Sequence, residues 1–214
     1  MAEYAIHAVL HFHRRMRQYR DLQSKAVWNP LAPLSANEWT VGIMGTGVIG
    51  GLIAKHMVIL GYRVCGWSRS GTTIGGVESF VGDDQLGDFL SISQVVVNVL
   101  PLTAATAGIL NARAFAVMPR GSYVVNIGRG GHLVEQDLLA ALDSRHIAGA
   151  MLDVFNEEPL PPSHPFWLHP DVIVTPHIAG VTIAAEAQAQ VIENVRRMEQ
   201  GEPPLGIVDR LKGY

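Results

Sequence analysis

The sequence predicts an α/β fold, a doubly wound parallel sheet, on three observations. A short apolar run at 40–44 stops at glycines spaced G-x-G-x-x-G (Gly45, Gly47, Gly50), and an apolar-periodic segment at 52–60 follows as a helix. Short β-rich runs then alternate with helical segments as far as residue 175, the pattern of a parallel sheet covered by helices. Polar and charged residues stand immediately after three of those runs, at 126–131, 153–158 and 175–180. That places them on the rim where open α/β sheets bind ligands.

Taken in order, residues 3–22 read as one amphipathic helix. Ile6, Val9, Leu10, His13, Met16 and Tyr19 recur near helical spacing, and Arg14, Arg15, Arg17 and Arg20 supply the solvated side. His7 and His11 lie one turn apart; with no third ligand in view they read as polar interface groups rather than metal ligands. Trp28-Asn29-Pro30-Leu31-Ala32-Pro33 breaks the helix. Beyond the glycine loop, strands are expected at 63–67, 78–81, 94–99, 123–127, 148–154 and 172–175, with helices at 85–92, 106–118 and 133–142. A last helix, 182–200, carries Ala184, Ala187, Val191 and Val195 on one side, and Gly201 and Pro203-Pro204 end it. The expected organisation is a connecting helix at 1–27, a linker at 28–39, a dinucleotide-binding domain at 40–181, and a C-terminal helix and tail at 182–214.

The 214 residues are 48% hydrophobic and 16% charged, enough for a sizeable core. A net charge of −3 with no basic run argues against a nucleic-acid or anionic-membrane partner. No apolar stretch nears the length of about 18 residues that a membrane-spanning helix needs. The one cysteine, Cys65, lies inside an apolar run and has no partner for an internal disulfide, which fits a cytoplasmic protein.

The glycine loop carries the first chemical expectation, a Rossmann-type dinucleotide site. Gly45 allows the tight strand-to-helix turn, Gly47 lacks a Cβ that would block a pyrophosphate, and Gly50 lets the helix pack close to the strand. The helix N-terminus adds free N–H groups and partial positive charge. The next strand ends in Ser68-Arg69-Ser70, with no carboxylate at its tip. An acid there would accept bonds from ribose hydroxyls and repel a 2′-phosphate; Arg69 attracts one, and Ser68 and Ser70 can donate to it. At about 1.5–3 kcal/mol for a charge-assisted bond, NADP(H) is expected to be preferred, with NAD(H) as the second choice.

The three rim segments, Asn-Ile-Gly-Arg-Gly-Gly (126–131), Leu-Asp-Val-Phe-Asn-Glu-Glu-Pro (152–159) and Thr-Pro-His-Ile-Ala-Gly (175–180), together resemble the D-isomer-specific 2-hydroxyacid dehydrogenases. Leu-Pro-Leu-Thr-Ala-Ala-Thr (100–106) and Pro-Pro-Ser-His-Pro-Phe-Trp (161–167) strengthen the match, which is nearest to the glyoxylate/hydroxypyruvate reductase A type. The resemblance implies that Arg129 binds substrate, that His177 is the acid/base, and that Glu158, directly before Pro159, is its partner rather than Glu157. It also implies a nucleotide lined by Val48, Ile49, Leu100, Pro101, Thr106, Ile127, Gly128, Ala179 and Gly180, with Asp153 beside the nicotinamide. Physics supports the trio. A histidinium can donate a proton near neutral pH, a carboxylate beside it fixes its orientation, and a guanidinium clamps a carboxylate or carbonyl with paired N–H donors. Trp167 is placed at the pocket mouth, and His132 and His146 are assigned no chemistry.

Such reductases have a second, smaller α/β domain. The first helix resembles the segment connecting the two domains and the last helix the one returning, so both flanking helices are expected to belong to an incomplete second domain. Domain closure aligns the reacting groups, so the isolated chain is expected to reduce small 2-oxo acids, glyoxylate and hydroxypyruvate, slowly. The family resemblance also implies a homodimer through the N-terminal helix. The runner-up reading is a non-catalytic NAD(P)-binding scaffold or sensor, which the Arg129/Glu158/His177 set does not exclude.

Overall fold

The computed structural model describes residues 1–207. Seven parallel strands form one sheet: β1 (Thr40–Met44), β2 (Arg63–Ser68), β3 (Val77–Val81), β4 (Val95–Asn98), β5 (Ser122–Asn126), β6 (Ile147–Leu152) and β7 (Val172–Val174). Their order is β3-β2-β1-β4-β5-β6-β7. The chain steps outward from β1 to β3, returns to the far side of β1 for β4, and steps outward again. The reversal leaves a crevice between the C-terminal ends of β1 and β4, where a doubly wound sheet binds its ligand.

Both faces of the sheet are covered, so the strands are apolar on both sides. Val41, Ile43, Val95, Val97, Val125 and Met151 point to one core. Met44, Val96, Val124, Ala150 and Leu152 point to the other. The period-two alternation of neighbouring residues between cores follows from the pleat. Cys65 is buried on the second face, and burial pushes its thiol up to about 11.

The helices are α1 (Ala2–His13), α2 (Met16–Ser24), α3 (Val48–Ile59), α4 (Leu86–Ser91), α5 (Ala112–Val117), α6 (Glu135–Asp143) and α7 (Ala184–Glu199). Three differ from expectation. The single helix at 3–22 is two, broken where Arg15 takes a left-handed conformation (φ 53°). Its buried face is Ala5, Ala8, Val9, Phe12 and His13, so that of the expected stripe Val9 and His13 are buried and the others are not. Alanines let α1 approach the sheet closely, and Phe12 stacks on Tyr123 at 4.5 Å. Past His13 the support ends, and α2 buries nothing. The helix expected over 106–118 begins only at Ala112. Gly108 has φ +62°, which a helix excludes, and Asn111 caps the later start by accepting from the N–H groups of Arg113 and Ala114. The helix expected over 52–60 starts earlier, at Val48, directly after Gly47.

At the other end, α7 buries no residue, and Val191, Ile192, Val195 and Met198 on it are exposed. The tail expected to run to residue 214 is described only as far as Ile207; 208–214 lie outside the described residues. Among the described residues no helix is long and apolar enough to cross a membrane.

The β1–α3 junction is the tightest point of the fold. A Cβ on Gly50 would lie 1.7 Å from the Gly45 carbonyl oxygen and 3.2 Å from Ile43. Backbone cannot yield as a flexible side chain does. Gly50→Ala is therefore expected to cost about 1–3 kcal/mol of stability, read from urea unfolding midpoints.

Candidate active site

Gly45 ends β1 in a conformation that L-residues rarely adopt (φ +99°), and its N–H donates to the Trp67 carbonyl of β2. The chain then turns through Thr46 and Gly47 into α3. Around Gly47, an added Cβ would meet nothing within 4 Å. Neither its backbone angles nor its packing calls for glycine, so the open space beside it is what the residue preserves. Thr46 is buried, and its hydroxyl finds no protein partner. A cleft of about 720 Å³ opens here. An open groove at a helix N-terminus, with an unsatisfied hydroxyl and a glycine facing free space, fits a dinucleotide pyrophosphate.

Most of the expected nucleotide residues line this cleft: Gly45, Gly47, Val48, Ile49, Gly50, Ser68, Arg69, Ser70, Leu100, Pro101, Thr106, Ile127 and Gly128. Arg129 lines it too. Met1, Thr46, Thr72, Val99 and Leu102 also line the cleft and were not among the expected residues; Leu102 lies inside the 100–106 motif, while Thr72 and Val99 follow strands β2 and β4 with no motif to mark them. Thr106 contributes wall only, because its hydroxyl is spent on the Pro101 carbonyl (2.7 Å) and on the Thr103 N–H (2.8 Å).

Asp153, Ala179 and Gly180 are not on that cleft. Asp153 is 1% exposed. Its Oδ1 accepts from the Thr175 hydroxyl (2.6 Å) and the Ile178 N–H (2.8 Å), and its Oδ2 from the Ala179 N–H (2.8 Å). Asp153 turns inward and clamps the 175–179 loop. Ala179 is buried in the clamp, and Gly180 packs against Met1. From the other side, the Tyr4 hydroxyl of α1 meets the Thr175 hydroxyl at 2.6 Å. Burial, with the Asp153 charge, pushes the Tyr4 phenol up to about 12, so it stays protonated.

The clamp holds His177. This residue has φ +55°, unfavourable for a side chain with a Cβ, and its N–H donates to the Asp153 carbonyl at 2.9 Å. Its Nδ1 lies 2.7 Å from Glu158 Oε2. The other carboxylate oxygen, Oε1, accepts from the Phe155 N–H at 2.9 Å, so both oxygens of Glu158 are engaged. Glu157, its neighbour, takes no part. Burial acts to raise the Glu158 carboxyl pKa, but the His177 and Phe155 hydrogen bonds and the charges of His177 and Arg129 outweigh it and hold it below the usual range. His177 and Glu158 border a second crevice of about 410 Å³, walled by Phe155, Pro159, Leu160, Trp167, Val174 and Pro176. Arg129 makes no direct contact with the pair; its Nη1 donates to the Gly128 carbonyl (2.7 Å), and its influence on Glu158 is electrostatic.

This arrangement can be set beside known proteins. The family model described as "D-isomer specific 2-hydroxyacid dehydrogenase, NAD binding domain" matches residues 6–179. The chain belongs to that family. A glyoxylate/hydroxypyruvate reductase A from Photorhabdus laumondii is 50% identical over all 214 residues, which span 68% of the relative's length. The reductase A of Yersinia enterocolitica is 46% identical over the same span. Among solved structures, a D-isomer specific 2-hydroxyacid dehydrogenase from Xanthobacter autotrophicus in complex with NADPH and MES matches with a TM-score of 0.96 and 42% identity, covering 100% of this chain and 88% of that one. An NADPH-dependent glyoxylate/hydroxypyruvate reductase from Sinorhizobium meliloti, in complex with NADP and sulfate, also gives 0.96, at 40% identity and 69% of its chain. In this 2-hydroxyacid dehydrogenase, then, the Rossmann-type sheet, glycine turn and paired histidine and glutamate sit in one cofactor-binding domain.

The pairing has a consequence for stability. Glu158 titrates below its ordinary value of 4.5 in the folded state, so its contribution is full above that value and is lost as pH falls through the lower, folded-state one. Glu158→Gln is expected to lower stability near neutrality and to converge with the parent chain as pH falls, so that the acid side of its stability curve is flatter, in thermal unfolding followed from about pH 3 to 7.

Proposed function

We propose that this chain binds NADP(H) and supplies the proton-transfer machinery for reducing small 2-oxo acids, such as glyoxylate and hydroxypyruvate, to 2-hydroxy acids. The observation that carries the reading is the 2.7 Å pair of His177 and Glu158, on a clamped loop at the same sheet rim as the cleft around Gly47. When bound, the nicotinamide supplies the hydride that goes to the ketone carbon.

The remaining chemistry belongs to side chains. With Nδ1 tied to Glu158, Nε2 of His177 is the nitrogen left to hold the proton that the substrate oxygen takes up. Glu158 stabilises the imidazolium before transfer and keeps the ring from turning. Arg129 spends one N–H on Gly128 and keeps others for a substrate carboxylate or carbonyl. Ser68, Arg69 and Ser70 grip the 2′-phosphate, and the N-terminus of α3 faces the pyrophosphate. Asp153 acts on the reaction through the His177 loop.

Two features bear on the surroundings of this domain. The apolar side of α7 is exposed, and the relatives extend beyond the matched span. We place the substrate-closing part of such a reductase against that side, where its closure would align the reacting groups. A homodimer through the groove between α1 and α2, where Ile6, Leu10, Met16 and Tyr19 lie, is the proposed assembly. Light scattering at micromolar concentration is expected to give twice the chain mass, and a strictly monomeric species would count against it.

For the cofactor, Arg69→Ala is expected to weaken NADPH binding by about 10- to 100-fold in a fluorescence titration while leaving NADH nearly unchanged. His177→Gln is expected to lower NADPH oxidation with glyoxylate by about 100-fold or more without altering NADPH affinity. Equal losses for NADPH and NADH in the first variant would refute the phosphate assignment.

A further inference from the structure

Between the tips of β4 and β5 lie three polar side chains with no exposure to solvent: Asn98, Asn126 and His132. They form one connected set. Asn98 Nδ2 donates to Asn126 Oδ1 (2.9 Å) and to His132 Nδ1 (2.9 Å), while Asn98 Oδ1 accepts from the Leu100 N–H (3.2 Å). That last bond fixes which way the Asn98 amide faces, since the reversed amide would set nitrogen against nitrogen at Leu100. Asn126 Oδ1 also accepts from the Gly128 N–H (3.3 Å), and Asn126 Nδ2 donates to the Arg129 carbonyl (3.1 Å). His132 Nδ1 accepts a second bond, from the Arg129 N–H (3.2 Å).

The protonation state of His132 follows from its partners. Both groups at Nδ1 are N–H donors, so Nδ1 carries no proton and the hydrogen sits on Nε2. Burial opposes a charge on the ring and outweighs the backbone contacts at Pro101 and Arg129, lowering the imidazole pKa and favouring the neutral form. The packing leaves no slack. A Cβ on Gly128 would lie 3.1 Å from each of Asn98 Nδ2, His132 Nδ1 and the Leu100 carbonyl oxygen.

The consequence concerns Arg129. Its backbone N–H and carbonyl are both bonded by side chains of this buried set. Arg129 is exposed, and its guanidinium is tethered to the Gly128 carbonyl. The same set holds Leu100 on the facing wall of the cleft. We propose that His132, through its bare Nδ1 and together with Asn98 and Asn126, is a positioning residue for Arg129, setting where the guanidinium meets the substrate carboxylate. The substrate part of this rests on the function proposed above; the backbone part does not.

The test compares His132→Leu, which removes the acceptor at similar bulk, with His132→Asn, whose Oδ1 can occupy the place of Nδ1. Each is read by hydrogen exchange at the Arg129 amide, by NADPH affinity, and by KM and kcat for glyoxylate. The expected result for H132L is Arg129 amide exchange and a KM both raised about tenfold or more, with NADPH affinity unchanged. H132N is expected to restore both toward the original chain. Unchanged exchange at Arg129 in H132L overturns the proposal whatever the turnover. Raised exchange with an unchanged KM overturns its substrate part. If H132L does not fold, H132N decides: near-original exchange and KM support the assignment, and a loss of both overturns it. A parent chain that fails to oxidise NADPH refutes the proposed function, and the exchange measurement still decides the backbone part here.

Discussion

A buried carboxyl group bonded by neutral donors organises the rim beyond β6 and β7. Asp153 lies beyond the end of β6, almost sealed from solvent, and is satisfied by one hydroxyl and two backbone N–H groups from the loop that carries His177. An acceptor buried without partners costs about 1–3 kcal/mol, so the loop and the carboxyl group hold each other in place. That mutual satisfaction is what keeps a histidine at φ +55° and presents its Nδ1 to Glu158. Tyr4 extends the chain of contacts to α1, so a helix at the start of the sequence shares in fixing a loop 171 residues later.

The other wall of the crevice is built on the same principle with neutral groups. Asn98 and Asn126, the last residues of β4 and β5, stand where a parallel sheet would ordinarily bury valine or leucine, and with His132 of the turn at 130–132 they bond one another and the backbone around Arg129. Paired polar groups of this kind specify one arrangement; of the set, His132 Nε2 is the atom that finds no hydrogen-bond partner among the described residues. Between the two walls, the glycine turn keeps its groove open: Gly50 because the Gly45 carbonyl leaves no room for a Cβ, Gly47 because a ligand needs the space.

Local chemistry made much of this legible in advance. The strand positions follow from apolar runs too short for helices, and the glycine turn from its spacing between a strand and a helix. The rim segments stand out because Arg129, Glu158 and His177 fall where a buried pattern would continue. Less was visible where two helical signals ran together. Arg14 and Arg15 suit a helix interior, and nothing local marks Arg15 as left-handed. In the stretch before α5, Gly108 and Asn111 were available as stop and cap signals, yet the apolar periodicity hid them.

What the sequence determined by itself is the order of elements, the parallel sheet, the glycine turn and the family's motifs, because each depends on side chains within a few positions of one another. What the tertiary structure decided is which of those side chains meet and which groups hold them in place. Asp153 and His132 stand in no local pattern that marks their contacts; their hydrogen-bond partners lie across strands, at distances that no local spacing encodes. The burial phase of α1 was likewise settled by the sheet beneath it, because alanines count as an apolar face only when a flat surface comes close enough to cover them.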